Sequence, residues 1–93
     1  MFKLFNKKET KLKYKCPCCG YYTLNNRGEY DICPVCFWED DLDQIEDPDL
    51  EEQANTVSLN QARENYKKFG ACEEDMLKHV RPPKEDELTG LDD

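Results

Sequence analysis

The sequence predicts a small α+β fold in which a β-hairpin with two cysteine turns is packed by one or two C-terminal helices. Three observations predict it. Two Cys-x2-Cys pairs lie 13 residues apart, a β-rich stretch with a central turn separates them, and a helical pattern with capping residues follows at 58–70. The 93 residues are enough for one small domain. We expect a loose segment over 1–11, a single domain over 12–83 and an acidic, flexible tail over 84–93.

The two cysteine pairs are Cys16 with Cys19 and Cys33 with Cys36, and a proline follows the first cysteine of each pair. Two intervening residues allow both sulfurs to face one point, and proline fixes φ near −65° at the first turn position. Two such pairs can close a tetrahedral site of four thiolates. We therefore predict these four cysteines as metal ligands for Zn²⁺, with iron as the alternative because tetrahedral sulfur suits both. Free or disulfide-linked cysteines are the other interpretation.

The residues that follow each pair differ. Gly20 follows the first pair, where such turns often need a left-handed residue, whereas Phe37 follows the second. We therefore do not expect the two turns to be perfect copies. Phe37 and Trp38 are interpreted as an apolar cap that excludes water from the site, the alternative being an exposed docking patch.

The stretch between the pairs reads as a hairpin. Residues 21–24 and 29–32 are rich in β-forming side chains, and 25–28 is Asn-Asn-Arg-Gly, which is typical of a turn. Leu12, Tyr14 and Cys16 alternate with lysines, which predicts a short strand leading into the first turn.

Composition limits both the core and the partners. Hydrophobic residues make up 38% and charged residues 37% of the chain, so we expect a modest core. A structural zinc site contributes on the order of 10–16 kcal/mol, about as much as the whole net stability of a typical domain. The formal charge of −8 makes nucleic acid an unlikely partner, because its backbone requires clustered Lys and Arg. The basic residues near the N-terminus are interpreted as counter-charge for the thiolates.

Two further properties concern location. No apolar run is long enough for a membrane helix, and the first residues lack the apolar core of a signal peptide. Six cysteines without an export signal indicate the reducing cytoplasm, where metal ligation is favoured over disulfides.

The segment 39–52 holds nine acidic residues and no basic one. We interpret it as a solvated loop that offers a negative face to a basic partner protein. A site for a hard cation is the alternative, but the EF-hand order of ligands and glycine is missing.

Ser58–Phe69 is the clearest predicted helix. Ser58 and Gln61 form a capping-box pair, and Gly70 supplies the C-cap. An apolar stripe at helical spacing is interpreted as core and consists of Leu59, Ala62, Tyr66 and Phe69. Residues 71–77 suggest a short second helix, which Pro82 and Pro83 follow.

Two cysteines and the single histidine stand outside the predicted site. Cys18 lies between two ligands, and we interpret it as an inert residue on the outer face of the turn; an activated thiol is the alternative, as is a register in which Cys18 replaces Cys19 as a ligand. Cys72 is predicted as a small core residue and His79 as a surface residue.

Three stretches together resemble the bacterial cysteine-rich CPCC family. They are Cys16–Tyr21, Cys33–Asp40 and the Ser-Leu-x2-Ala-Arg-x-Asn-Tyr-x2-Phe-Gly-Ala pattern of 58–71, and the resemblance covers roughly 14–83. The paired turns also look like a zinc ribbon, or rubredoxin-like, arrangement. The resemblance implies a small protein that binds metal through its paired cysteines, and it implies no particular activity.

Three functions remain open from the sequence. The first is a cytoplasmic zinc-binding adaptor or inhibitor that binds another protein through its acidic loop and aromatic face. The second is an iron electron carrier, because the cysteine turns resemble the rubredoxin-like segment of rubrerythrins. The third is a thiol redox sensor that uses Cys18. We expect no enzyme, because neither a nucleophile–base pair nor an open metal position is visible.

Overall fold

A computed structural model describes residues 12–91. The predicted loose segment 1–11 lies outside the described residues, as do the last two residues of the tail. The fold class is confirmed, since a two-stranded antiparallel hairpin lies beside four clustered cysteines and helices follow it. The elements in chain order are β1 (Tyr14–Lys15), β2 (Tyr22–Leu24), α1 (Leu42–Glu46), α2 (Leu59–Phe69) and two 3₁₀ helices, Glu74–His79 and Glu85–Glu87.

Each short hairpin closes on one cysteine turn. β1 pairs with β2 across the first turn, with Tyr14 opposite Leu24 and Lys15 opposite Tyr22. The strand predicted from alternation before the first turn is therefore confirmed. An isolated antiparallel bridge joins Ile32 to Glu39 across the second turn in the same way.

The predicted pairing of 21–24 with 29–32 is wrong. The second stretch pairs with the residues after the second cysteine turn, because the Tyr30 N–H donates to the Asp40 carbonyl and the Asp40 N–H donates to the Asp31 carbonyl. Tyr30 itself has a positive φ of 64°, which interrupts an extended strand. Residues 30–32 do form β-type hydrogen bonds, but their partners are residues 39–40, on the other side of the second cysteine turn.

The core lies between the cysteine turns and α2. Leu24, Val35 and Trp38 are buried there against Leu59 and Ala62 on one face of α2, as the helical stripe predicted. Tyr66 and Phe69 continue the stripe and are half-buried. Among the helices of residues 12–91, none combines the length and the apolar character needed to cross a membrane.

The ends of α2 follow the predicted capping. The Ser58 hydroxyl accepts the Gln61 N–H at 3.1 Å, and Gly70 ends the helix in a left-handed conformation with φ 92°. The side chain of Gln61 donates to Asn65 Oδ1 at 2.9 Å. The Ser58–Gln61 pair therefore makes one of the two capping-box bonds, the one from the Gln61 N–H to the Ser58 hydroxyl.

The acidic segment 39–52 is only partly solvated, so its interpretation as a solvated loop is corrected. It includes α1, and its Asp40 and Asp41 carboxylates are buried. Asp41 caps α1 by accepting the Asp43 N–H at 2.8 Å and also accepts the Ala54 N–H at 3.1 Å. Six other acidic side chains of the segment are exposed, namely Asp43, Glu46, Asp47, Asp49, Glu51 and Glu52.

Gln44 organises the chain between α1 and α2. Its side chain is fully buried, and its amide nitrogen donates to the carbonyls of Leu50, Asn55 and Val57 at 3.0–3.1 Å. Its amide oxygen accepts from both the backbone and the side chain of Asn55, which also bonds the backbone of Glu39. These bonds replace the secondary structure that this connection lacks.

The segment after α2 forms 3₁₀ helix where a short second helix was predicted over 71–77. The 3₁₀ helix begins three residues later, at Glu74, and ends at His79. Residues 84–91, expected to form a flexible tail, contact the rest of the domain. Arg81 makes a bidentate ion pair with Glu87 at 2.7 and 2.9 Å, and the Leu91 N–H donates to the Lys13 carbonyl at 2.8 Å.

Candidate metal centre

The two cysteine turns share one backbone hydrogen-bond pattern. In the first, the Cys16 N–H donates to the Tyr21 carbonyl at 2.8 Å and the Gly20 N–H donates to the Cys16 carbonyl at 2.9 Å. In the second, the Cys33 N–H donates to the Trp38 carbonyl at 2.9 Å and the Phe37 N–H donates to the Cys33 carbonyl at 2.7 Å. Each turn therefore presents its two sulfurs in the same way, on opposite sides of one centre.

The expected difference between the turns is wrong for the backbone. Gly20 has φ 86° and Phe37 has φ 71°, so both positions are left-handed. A bulky residue adopts this conformation at a cost, commonly of order 1–3 kcal/mol, and only where its surroundings hold it. The ring of His79 stacks on the Phe37 ring with centroids 4.8 Å apart, which helps to hold Phe37 in place. His79 is exposed, as predicted, but it packs on this turn.

The four sulfurs predicted as ligands lie together. The Sγ atoms of Cys16, Cys19, Cys33 and Cys36 are all within 4.8 Å of one another. Two of the distances between the turns are 3.6 Å for Cys16–Cys36 and 3.7 Å for Cys19–Cys33. A tetrahedral ion with bonds of 2.3 Å to sulfur requires about 3.8 Å between sulfurs. The donor set and its spacing therefore fit one metal ion, and the six cysteines are free of disulfide bonds.

Burial and hydrogen bonds shift the pKa values of these cysteines in opposite directions. Cys16, Cys33 and Cys36 are fully buried, and Cys19 is half-buried. Hydrogen bonds from Cys16, Cys19 and Cys36 hold the pKa of Cys33 well below its usual range, and the Thr23 hydroxyl adds to this from 3.0 Å. Burial raises the pKa of Cys16, and the hydrogen bond with Cys16 raises the pKa of Cys36. A metal ion bound by four thiolates would displace the thiol protons, so its binding depends on pH.

The two aromatic residues predicted as an apolar cap both pack against the cysteine cluster, but only one of them is fully buried. Trp38 is fully buried and belongs to the core cluster around the cysteines, and its indole N–H has no hydrogen-bond partner among the described residues. Phe37 is half-buried and packs against that cluster. Neither residue forms the exposed docking patch that was the alternative.

Cys18 does not lie on the outer face of its turn, so that prediction is wrong. Its side chain is 7% exposed and belongs to the core cluster, and its hydrogen bond to Cys36 contributes to the raised pKa of Cys36. Cys72 is a buried core residue, as predicted, and burial raises its pKa to about 12. The Cys72 N–H donates to the Cys36 carbonyl at 2.8 Å, which ties the chain after α2 to the second turn.

Two contacts at the centre had no clear signal in the sequence. Thr23 reaches Cys33 from β2, and Arg63 Nε on α2 donates to the Pro17 carbonyl at 2.9 Å, which joins the helix to the first turn. Both are polar residues on elements that were predicted from their apolar neighbours. Only the pairing of these elements in space identifies the two side chains as supports of the site.

Comparison with known proteins gives one family match. The profile of the family described as Cysteine-rich CPCC matches residues 14–87. A search of curated proteins finds no match to this chain. The matched stretch contains both cysteine turns, α1, α2 and the 3₁₀ helices, and it extends the region of resemblance seen in the sequence by four residues. The chain therefore belongs to the cysteine-rich CPCC family.

Proposed function

We propose that this protein is a small zinc-binding module that acts as an adaptor or inhibitor by binding another protein. The observation that supports a metal site is the cluster of four cysteine sulfurs within 4.8 Å of one another, three of them in fully buried residues. Cys16, Cys19, Cys33 and Cys36 would hold the ion as thiolates. Four protein ligands fill a tetrahedral ion and leave no position for substrate or water, as in structural zinc sites. We therefore propose no catalytic role for this centre.

The binding role is supported by the exposed acidic side chains of 39–52 and by apolar side chains near them. Tyr30, Ile32 and Leu42 are 46–55% exposed, and the Leu42 side chain lies beside Gly28. Charged side chains around exposed apolar ones are typical of the rim and core of a protein interface. The partner that fits this surface is a protein with basic residues around an apolar patch.

Elemental analysis and an absorption spectrum test the metal. We expect one zinc per chain and no visible absorption, whereas an iron centre purified in air absorbs in the visible and would favour the electron carrier. The buried position of Cys18 argues against the thiol sensor, because reactive cysteines are partly exposed.

Paired charge reversals test the partner. Asp43→Lys with Glu46→Lys changes the acidic surface on α1, whereas Glu74→Lys with Asp75→Lys changes exposed acids elsewhere by the same charge. We expect a protein captured by the zinc-loaded native chain to be lost with the first pair and retained with the second. Equal capture by all three proteins, or no captured protein, would contradict the acidic surface as the binding site.

A further inference from the structure

An open groove of about 810 Å³ lies beside the first cysteine turn. The turn forms one wall, Ile45 of α1 contributes to another, and α2 closes the side with Tyr66. Four of the eleven described residues that line it are basic and none is Asp or Glu, in a chain whose formal charge is −8; the lining also includes Cys16 and Cys19, whose thiolates would be shared with the metal. The basic residues are Lys15, Arg27, Arg63 and Lys67.

These four cations are not equally available. Arg27 is committed to the buried Asp40 carboxylate and to the Lys15 carbonyl. Arg63 uses Nε for Pro17 and one terminal nitrogen for Asn60. Lys67 lies 3.6 Å from Glu64, but the two side chains are 74% and 66% exposed, so this pair is weak and easily exchanged. The rim can therefore offer positive charge from Lys15, Lys67 and the outer edge of Arg63.

The groove combines this rim with an apolar lining. Pro17, Ile45 and the Tyr66 ring are half-buried, so each keeps surface that an occupant could cover. The volume is within the range of ordinary ligand sites, and the groove is partly open to solvent. Its size, apolar lining and positive rim suit a short piece of chain with an apolar anchor and carboxylates on either side.

We propose that this groove binds a short acidic segment of a partner protein, one in which an apolar side chain is flanked by Asp or Glu. The inference rests on the binding role proposed above and adds a second contact of opposite charge to the acidic surface on α1. The apolar side chain fills the space between the first turn and α2, and the flanking carboxylates meet Lys15 and Lys67.

Fluorescein-labelled peptides test the groove directly on the zinc-loaded full chain. The probe carries one phenylalanine flanked by glutamates, and two matched peptides replace the glutamates with lysine or the phenylalanine with serine. We expect fluorescence anisotropy to show binding of the first peptide alone, weakening as salt is added. Chemical shifts of backbone amides should move at the first turn and α2. Absence of binding, or shifts confined to other surfaces, would overturn the proposal.

Two neighbouring lysines provide a matched control. Lys67 lines the groove and Lys68 does not, although both are exposed and both lie in the last turn of α2. We expect Lys67→Glu to weaken the peptide by about fivefold or more and Lys68→Glu by less than about twofold. Equal effects of the two changes would show that only the net charge matters, which contradicts a localised site.

Zinc affinity, measured by competition with a chromogenic chelator, separates the remaining outcomes. If the peptide does not bind and Lys67→Glu lowers zinc affinity, the cations serve as counter-charge for the thiolates and the groove proposal fails. If the peptide binds the native chain but the charge reversals on α1 leave partner capture unchanged, the groove stands and the acidic surface fails.

Discussion

Replacing Arg27 with methionine tests the buried ion pair that joins the two hairpins. The Asp40 side chain is fully buried, and it accepts two bonds from Arg27 Nη1 and one from the Gly28 N–H at 2.7 Å. Removing one partner of a buried pair typically costs 3–5 kcal/mol, because the remaining charge is left in the interior. The Arg27 side chain keeps 24% of its surface in water, so we expect the lower end, about 3 kcal/mol. That is a large part of the net stability of a typical small domain.

The assay is urea unfolding of the zinc-loaded protein at a fixed, chelator-buffered free zinc concentration. Free zinc must be held constant because an ion that binds only the folded chain adds to its apparent stability. Trp38 is fully buried and is the single tryptophan, so its fluorescence reports unfolding of the core. Urea is preferred over guanidinium because guanidinium is a salt and screens the ion pair.

The effect of pH on this variant has a definite sign. Burial raises the pKa of Asp40 above its ordinary value, against the lowering effects of the Gly28 N–H and of Arg27. Loss of Arg27 should raise it further, so the folded variant takes up a proton more readily than the unfolded chain. A raised folded pKa favours folding at low pH, and this benefit is lost as pH rises. The deficit of Arg27→Met should therefore shrink on acidification from neutral pH.

The control is the double variant Arg27→Met, Asp40→Leu. It removes both charges and leaves the Gly28 N–H without its acceptor, which costs about 1–3 kcal/mol. The Lys15 carbonyl loses the Arg27 donor in the single and the double variant alike. We expect it to be no less stable than the single variant. A loss below about 1 kcal/mol for Arg27→Met, or a deficit that grows on acidification, would refute the description of the pair as buried and ionic.

Three further predictions concern the metal, the C-terminal segment and a helix end. Cys16→Ser should abolish stoichiometric zinc binding and with it the folded circular dichroism spectrum, because a structural site contributes on the order of 10–16 kcal/mol; retention of both would contradict the site. Arg81 lowers the pKa of Glu87, so the pair stabilises the fold above the ordinary Glu pKa and this contribution is lost as pH falls through the lowered value. An NMR titration of the Glu87 carboxyl should show this, and Arg81→Gln should return the pKa toward normal. Gly70→Ala should lower the free energy of unfolding by about 1 kcal/mol through backbone strain alone, since φ is 92° and an added Cβ meets no atom within 4 Å. An unchanged urea midpoint would show that the left-handed C-cap is not required.

The parts of this fold that follow from neighbouring residues could be predicted from the sequence. The two Cys-Pro turns and the cap at Ser58 are determined by contacts within five residues, and all of them form, the second turn matching the first more closely than expected. The proximity of the four sulfurs could also be predicted from the sequence, because two Cys-x2-Cys pairs at this spacing are typical of a metal site.

Strand pairing could not be predicted in the same way. The stretch 29–32 has the same β-forming composition whether it pairs with 21–24 or with the residues after the second turn. In the structure the second cysteine turn closes this pairing, because the Cys33 N–H donates to the Trp38 carbonyl and the Asp40 N–H donates to the Asp31 carbonyl. The Asp40 carboxylate adds a buried contact with Arg27 from the turn at 25–28. Neither contact leaves a periodic pattern in the chain.

The acidic segment differs from the predicted solvated loop because its average composition hides two different kinds of carboxylate. Asp40 and Asp41 accept hydrogen bonds inside the fold, whereas Asp43 and Glu46 face solvent. Cys18 differs from its prediction as well. Its position between two ligands suggests an outward side chain, but Cys18 is buried, as is Val35 at the same position of the second turn.

One neutral amide determines how the most highly charged part of this protein is displayed. Gln44 donates to three carbonyls across the connection that leads to α2, and Asn55 completes the arrangement. Glutamate at this position would be isosteric, yet it would set two acceptor oxygens against those carbonyls. Grafting the acidic stretch onto another scaffold therefore requires both amides to be transplanted with it, or the carboxylates would be presented in a different geometry.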